Sequence, residues 1–456
     1  MIIFIILVFV IGYLSITLEH PLKLDKTVPA IIMAAMMWAF LGYGFNEGWF
    51  SIIDEHSHVF HISQGAEALE GFKINLSHHF SKIAEILIFL IGAMTIVEII
   101  DLHRGFDIIK SRIKTNNKKK LLWILGILAF FLSAIIDNLT TTIIIATLLR
   151  KLIPVKEYRI WFISLVVIAA NAGGAWSPIG DVTTTMLWID GKVSAIGLSE
   201  YLIVPSILCF VVPFAIASFM KPFQGEVPRK ILKDESESER LLSSRKMLIV
   251  GLLGIISVPI FKMVTGLPPF IGMMLALGMV WLFSEYVSPF KNFNKKDKHL
   301  YSGHKALSKI EFSSILFFLG ILMAVAALES LVFGQLNGQE VGTLRFAAQS
   351  LSDAIPNMDV VVILLGVLSA VIDNVPLVAA SMGMYTYEMD HPVWHFIAYS
   401  AGTGGSMLII GSAAGVAAMG MEKIDFVWYL KRITWLAFVG FLAGALCFIF
   451  IEHFIR

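Results

Sequence analysis

The sequence predicts an all-α polytopic membrane protein built from two inverted repeats, each holding a re-entrant hairpin and a broken helix. Three observations predict it. The 456 residues are 57% hydrophobic and only 15% charged, with 34 Phe and 10 Trp, a balance typical of membrane-spanning chains and rare in soluble domains. A hexapeptide that carries a carboxylate and an amide, Ser133-Ala134-Ile135-Ile136-Asp137-Asn138, returns as Ser369-Ala370-Val371-Ile372-Asp373-Asn374. Both copies lie inside long apolar runs, where an ionised side chain is costly and by default marks an ion or proton pathway. The third observation is a glycine-rich interruption that follows each copy, near residues 171–184 and 402–412.

In order, the apolar stretches suited to crossing are roughly 1–18, 28–44, 80–102, 158–188, 200–220, 247–263, 270–286, 312–332, 393–421 and 433–452, about ten in all. Residues 1–18 have no basic leader and no small-residue cleavage site, so they read as a first membrane helix, not a signal peptide. The stretches 121–152 and 358–386 each hold the Asp-Asn peptide at mid-length. Arms of about 14 residues rise about 21 Å, short of a hydrocarbon core of about 30 Å. Both therefore read as hairpins with the hexapeptide at the tip, and full double crossings are the alternative. Each Asp-Asn pair has a plainer reading as the cap of a broken helix. Recurrence in matching contexts favours a shared functional tip, and the two tips are expected to approach each other near the midplane.

The loops give orientation. Segments 103–120, 221–246 and 287–311 carry seven, seven and six Lys or Arg residues and are expected to be cytoplasmic. The segment 45–79 sets Glu47, Asp54, Glu55, Glu67 and Glu70 against Lys73 and is expected outside. Ten crossings then put both termini outside, with Arg456 a weak dissent. The series of crossing, hairpin, broken helix and crossing runs in opposite senses in residues 1–220 and 247–456, and 221–246 reads as a cytoplasmic linker between them. Such an inverted repeat with interrupted segments at matching places points to a midplane site.

In the first interruption, Asn171 to Thr184, two adjacent glycines and Pro178 break what would be one helix. Unwound backbone leaves carbonyls in need of a partner, and a hard cation is one. Asp181, Thr183, Thr184 and Asn171 add carboxylate, hydroxyl and amide oxygens; a proline kink capped by its own polar residues is the structural alternative. In the second interruption Ser412 stands where Asp181 stood. Asp137, Asp181 and Asp373 are thus the deep acids, in an all-oxygen set that suits hard cations and not Zn or Cu. No Lys or Arg lies in either tip or either interruption, which argues against an anionic cargo. Cys209 and Cys447 read as packing residues, and the net charge of +1 implies no nucleic-acid partner.

These stretches resemble the NhaD-type sodium/proton antiporters, within a wider superfamily that includes arsenite pumps and sodium–dicarboxylate transporters. The strongest pieces are Phe89 to Glu98, Ser133 to Thr142, Asn171 to Thr185, Ser369 to Pro376 and residues 402–411. The resemblance covers nearly the whole chain. It implies a bacterial inner-membrane protein that exports Na+, and Li+ with it, for H+ at alkaline pH, with no cofactor and no enzymatic activity. The cation-site residues it implies are Asp137, Asn138, Asn171, Asp181, Thr183, Thr184, Ser369, Asp373 and Asn374. Sodium, protons and the bilayer are the implied partners, and a homodimer is left open. A sodium-coupled carboxylate transporter of the same fold is the alternative, and an intramembrane aspartyl protease a remote one. Glu85, Glu98, Glu311 and Glu329 lie in or beside crossings; Glu98 is a candidate for a proton path or for a solvated vestibule. His56, His58, His61, His78 and His79 gather in the outer segment, where pH sensing, metal binding and no role at all are the readings. Glu67 and Glu70 suit an amphipathic interfacial helix.

Overall fold

A computed structural model of the chain describes residues 2–17, 22–54, 57–110, 113, 115–227, 241–290, 295–336, 338–371 and 373–454. His56, Ile372 of the second hexapeptide, linker residues 228–240 and the basic residues Arg112, Lys114, Lys291 and Arg456 lie outside these.

Among the described residues the secondary structure is helical apart from two small β-hairpins. The helices of seven residues or more among the described residues are α1 (Ile2–Thr17), α2 (Thr27–Asn46), α3 (Ala66–Leu102), α4 (Lys118–Ile136), α5 (Asn138–Leu152), α6 (Lys156–Gly174), α7 (Val182–Ile189), α8 (Ala195–Ala217), α9 (Ser244–Thr265), α10 (Pro269–Tyr286), α11 (Phe312–Ser330), α12 (Thr343–Ala354), α13 (Met358–Leu368), α14 (Asn374–Met384), α15 (Pro392–Gly404), α16 (Ala413–Glu422), α17 (Phe426–Arg432) and α18 (Thr434–Phe454). Among the described residues, eight helices are long and apolar enough to cross a membrane, or nine if α12 and α13, bent by 117°, count as one span.

Each expected interruption is a real helix break. The stretch 158–188 is α6 and α7, and 393–421 is α15 and α16. Both hairpins turn at the hexapeptide: α4 gives way to α5 at Asp137, and α13 to α14 before Asn374. One expectation needs correction. The first arm is not short, because α4 begins at Lys118 and its 19 residues rise about 28 Å. Asn117 starts it early by accepting the Lys120 amide at 3.0 Å. The other arms, α5, α13 and α14, have 15, 11 and 11 residues and fall short of the bilayer core. Likewise α3 begins 14 residues before the expected crossing at 80, so Glu67 and Glu70 belong to one 37-residue helix and not to a separate interfacial one.

The chain forms two compact units, each drawing on early and late segments. One holds residues 2–87, 311–364 and 375–388. In it α2 packs on α1 and along α11. Gly320 allows the α11 backbone to approach Ala30, since a Cβ there would meet the Ala30 carbonyl carbon at 2.7 Å. Trp38 ties the same pair by donating to the Met323 carbonyl at 2.8 Å. The strands β1 (Ile52–Ile53) and β2 (Val59–Phe60) pair antiparallel, as do β3 (Val332–Leu336) and β4 (Gln339–Gly342), and Ile52 bridges to Leu331. The amphipathic α12 lies against β3.

The other unit holds residues 88–310, 365–374 and 389–454, and with them every candidate cation-site residue. Its tightest pairings are α8 with α18 and α4 with α6. Pro213 removes the donor that would meet the Cys209 carbonyl four residues earlier. That carbonyl faces Gly440 of α18, where a Cβ would sit only 2.5 Å from it. The hairpin arm α5 packs on α6 and α16, and those two helices pack on each other.

Candidate cation site

Two sets of contacts in this unit repeat each other residue for residue. Ser133 donates to the Ala170 carbonyl at 2.6 Å, and Ser369 to the Ala401 carbonyl at 2.7 Å. Gly173 lies under the Phe130 carbonyl as Gly404 lies under that of Gly366, too close in each case for a Cβ. Asp181 begins α7 with φ −148° and ψ 150°; Ser412 begins α16 with φ −146° and ψ 153°. Each hairpin thus seats on the last turn before a break, through one serine hydroxyl and one bare glycine face.

The polar side chains converge on Asp181, which is 2% exposed. Its Oδ1 accepts from the Thr183 amide and the Thr183 hydroxyl, both at 2.9 Å, which caps the short α7. Its Oδ2 accepts from Asn138 Nδ2 of the first tip at 2.6 Å. Asn374 Nδ2 of the second tip reaches the same carboxylate at 3.3 and 3.4 Å. Asn138 Nδ2 also donates to Asn171 Oδ1 at 2.9 Å, and Asn171 Nδ2 donates to Ser412 Oγ at 2.9 Å. Both tips and both breaks therefore meet in one buried network, as the expected convergence of the tips required. Asp137 and Asp373 each directly precede the asparagine that meets Asp181.

Other expected residues are turned to structural work. Asp137 caps α5: its Oδ1 accepts from the Thr140 amide at 2.7 Å and its Oδ2 from the Thr140 hydroxyl at 2.8 Å. It does so at φ 82° and ψ 160°, a region almost reserved for glycine, so the tip carries strain of about 1–3 kcal/mol. Thr184 donates to the carbonyls of Ser177 and Asp181 and closes the unwound turn. The Ser369 hydroxyl is directed at Ala401 and not at Asp181. Reading the sequence missed Thr140, although a hydroxyl three residues past an expected cap is a usable signal. It noted Ser412 as the counterpart of Asp181 without seeing it as the partner of Asn171.

Three of the described histidines meet different partners. His58 meets Asp54 at 3.3 Å, His61 meets Glu340 at 3.2 Å, and His79 meets Ser330 Oγ at 3.2 Å. Among the described residues no three His, Cys, Asp or Glu side chains form a group able to hold a metal. Glu98 lies within the electrostatic reach of Asp101 and Lys309.

Discontinuous helices whose broken ends face two hairpin tips define a secondary transporter. The chain belongs to the NhaD-type sodium/proton antiporter family. The Citrate transporter family model matches residues 6–394. Sodium/proton antiporter 2 of Arabidopsis thaliana is 40% identical over 98% of this chain and 99% of its own length. Sodium/proton antiporter 1 of the same plant is 42% identical over 98% of this chain and 72% of its own. The Na(+)/H(+) antiporter NhaD of Vibrio cholerae is 31% identical, covering 98% and 91%. Among solved structures, the YdaH transporter of Alcanivorax borkumensis superposes with a TM-score of 0.57 at 12% identity, over 94% of this chain and 98% of that one, and so shares the fold.

Proposed function

We propose that the protein exchanges sodium for protons by alternating access, and that the two ions compete for the Asp181 carboxylate. The observation that carries this reading is the pair of amides, Asn138 and Asn374, delivered to one buried carboxylate from opposite tips. In this arrangement their N–H groups face Asp181, an assignment that follows from the hydrogen-bond pattern. Half a turn about the last torsion of either amide replaces N–H by C=O without moving the backbone. Sodium then finds carboxylate and amide oxygens, with Asn171 and Thr183 beside them. A proton on Asp181 removes the negative charge that holds sodium, so the site carries one ion or the other. Asp137, Asp373, Thr184 and Ser369 complete the proposed set, the first two by their charge and the others by holding the tips and the unwound turn.

The same proposal includes about ten crossings with two re-entrant hairpins, repeats at 1–220 and 247–456, a bacterial inner-membrane location, both termini outside, and lithium as a second cargo. The basic loops and the paired breaks support it. A carboxylate cargo, suggested by the match to the Citrate transporter family, lacks support at the site, where no Lys or Arg stands in either tip or break to meet an anion. Everted membrane vesicles with a pH-sensitive dye test the reading. Sodium should release protons from energised vesicles carrying the protein, and citrate should not; dequenching by neither cation nor anion would refute it.

A further inference from the structure

The far ends of the helices that form the site meet in a buried charge cluster that the exchange chemistry does not use. Glu422, the last residue of α16, is 2% exposed. Its Oε1 accepts from Arg150 Nε of α5 at 2.8 Å, and its Oε2 from Arg159 Nε of α6 at 2.6 Å. Arg150 also donates to the Met421 carbonyl. Arg159 donates to the carbonyls of Ile153 and Pro154, which follow α5, at 3.1 and 3.3 Å. An acid at a helix C-terminus opposes the helix dipole, and a buried carboxylate is costly unless paired. The stability of α16 alone therefore does not explain a glutamate here.

We infer that the Arg150–Glu422–Arg159 cluster is an ionic clamp that sets the axial register of α5, α6 and α16, and so positions Asn138, Asn171 and Ser412 for cation binding. These three helices pack on one another pairwise. From clamp to site the helical rise is about 18 Å along α5, 18 Å along α6 and 15 Å along α16. The same helices are joined again at the site end, α5 to α6 by Asn138 and Asn171 and α6 to α16 by Asn171 and Ser412. A slip of one residue moves a helix about 1.5 Å, enough to break either of those bonds. The internal repeat supports the reading independently. Shifted by 231 residues, Arg159 corresponds to Asp390 and Gly191 to Glu422. There Asp390 accepts from the Ser194 amide at 2.7 Å and donates its own amide to the Lys192 carbonyl at 2.9 Å. The same two ends are tied at the equivalent place, there by the amide and the carboxylate of Asp390 meeting the backbone of Lys192 and Ser194. Arg150, Arg159 and Glu422 are thus positioning residues, and through Arg150 the clamp brings the hairpin arm α5 into the tie.

The inference rests on the sodium/proton reading, and purified full-length protein in proteoliposomes separates the two. E422Q keeps the side-chain size and removes the charge. It should raise the apparent KM for sodium at least about tenfold while kcat stays within about twofold, because the site is loosened and its carboxylate kept. R150Q, which leaves the Arg159 contact, should raise KM about threefold, and the double variant should cost less than the product of the two. A thermal midpoint that falls in E422Q with KM unchanged would mean a purely structural role and would overturn the inference. If E422Q does not reach the membrane, the half-exposed Arg150 decides: wild-type KM in R150Q overturns it equally. Wild-type protein without sodium-driven proton flux would instead refute the function on which the clamp rests.

Discussion

Asp181 accepts from four donors, two of them on Thr183 and one on each hairpin tip. Asn at this position keeps the size and part of the bonding but cannot exchange a proton for a cation. D181N should therefore abolish cation-driven proton release in vesicles while the protein still reaches the membrane. Adding S412D to it should restore nothing, because Ser412 bonds to Asn171 and lies in the other break. Asp137 makes a different prediction. Its φ of 82° suits glycine, so D137G and D137A both lose the Thr140 cap, but only the alanine retains the strain. The glycine variant should be the more thermostable of the two in detergent, by about 1 kcal/mol or more, and both should transport poorly. Beyond the membrane, His103 gives a pH effect. Its Nε2–H donates to the Tyr301 carbonyl at 3.1 Å, its Nδ1 pairs with Ser243 Oγ at 2.9 Å, and burial holds its pKa below the usual histidine value. The unfolded chain thus binds this proton more readily than the folded one. The stabilisation is complete above a pH of about 6.5 and is lost as pH falls below it. Melting curves from about pH 8 to 5 should decline more steeply for wild type than for H103N; parallel curves would remove His103 from the account.

At the level of elements, the hairpins and breaks are held together by backbone proximity. A methyl group on Gly173 or Gly404 would collide with the carbonyl of Phe130 or Gly366, neither of which can yield without moving its hairpin. G173A and G404A should both lose transport, and a larger side chain at Gly191, where a Cβ meets open space, should be harmful only through its φ of 73°. These features were legible in the sequence for a physical reason. Adjacent glycines and a proline in an apolar run have few explanations, and the duplicated hexapeptide gave each break its partner. The β3–β4 hairpin and α12 were not legible, since short polar segments between spans carry no period long enough to read. Nor was the length of α3, whose first turns are polar and resemble a loop by composition. Nothing in the sequence singles out Glu422, because its two arginines are more than 260 residues away along the chain. The approach of the two tips was expected from the inverted charge pattern, and capping by Asp137 and by the polar residues of the first break stood as structural alternatives, whereas the use of Ser369 to hold backbone was not expected: spacing identifies a polar side chain but not the direction of its hydrogen bond.

For the whole molecule, the number of protons that leave as sodium binds decides whether exchange moves net charge. If two leave, each cycle moves one net charge, and the membrane potential contributes about 2.3 kcal/mol per 100 mV to sodium export. Reconstituted exchange with the potential clamped by potassium and valinomycin should then respond to the imposed voltage in both rate and final gradient. The central claim, that sodium and protons exclude each other at Asp181, is tested most directly by the apparent KM for sodium measured across pH in proteoliposomes. Competition predicts that KM rises as pH falls, by about tenfold per unit for one displaced proton and more steeply for two, while the rate at saturating sodium stays nearly constant. A KM that does not change with pH, with the maximal rate carrying all of the dependence, would contradict it.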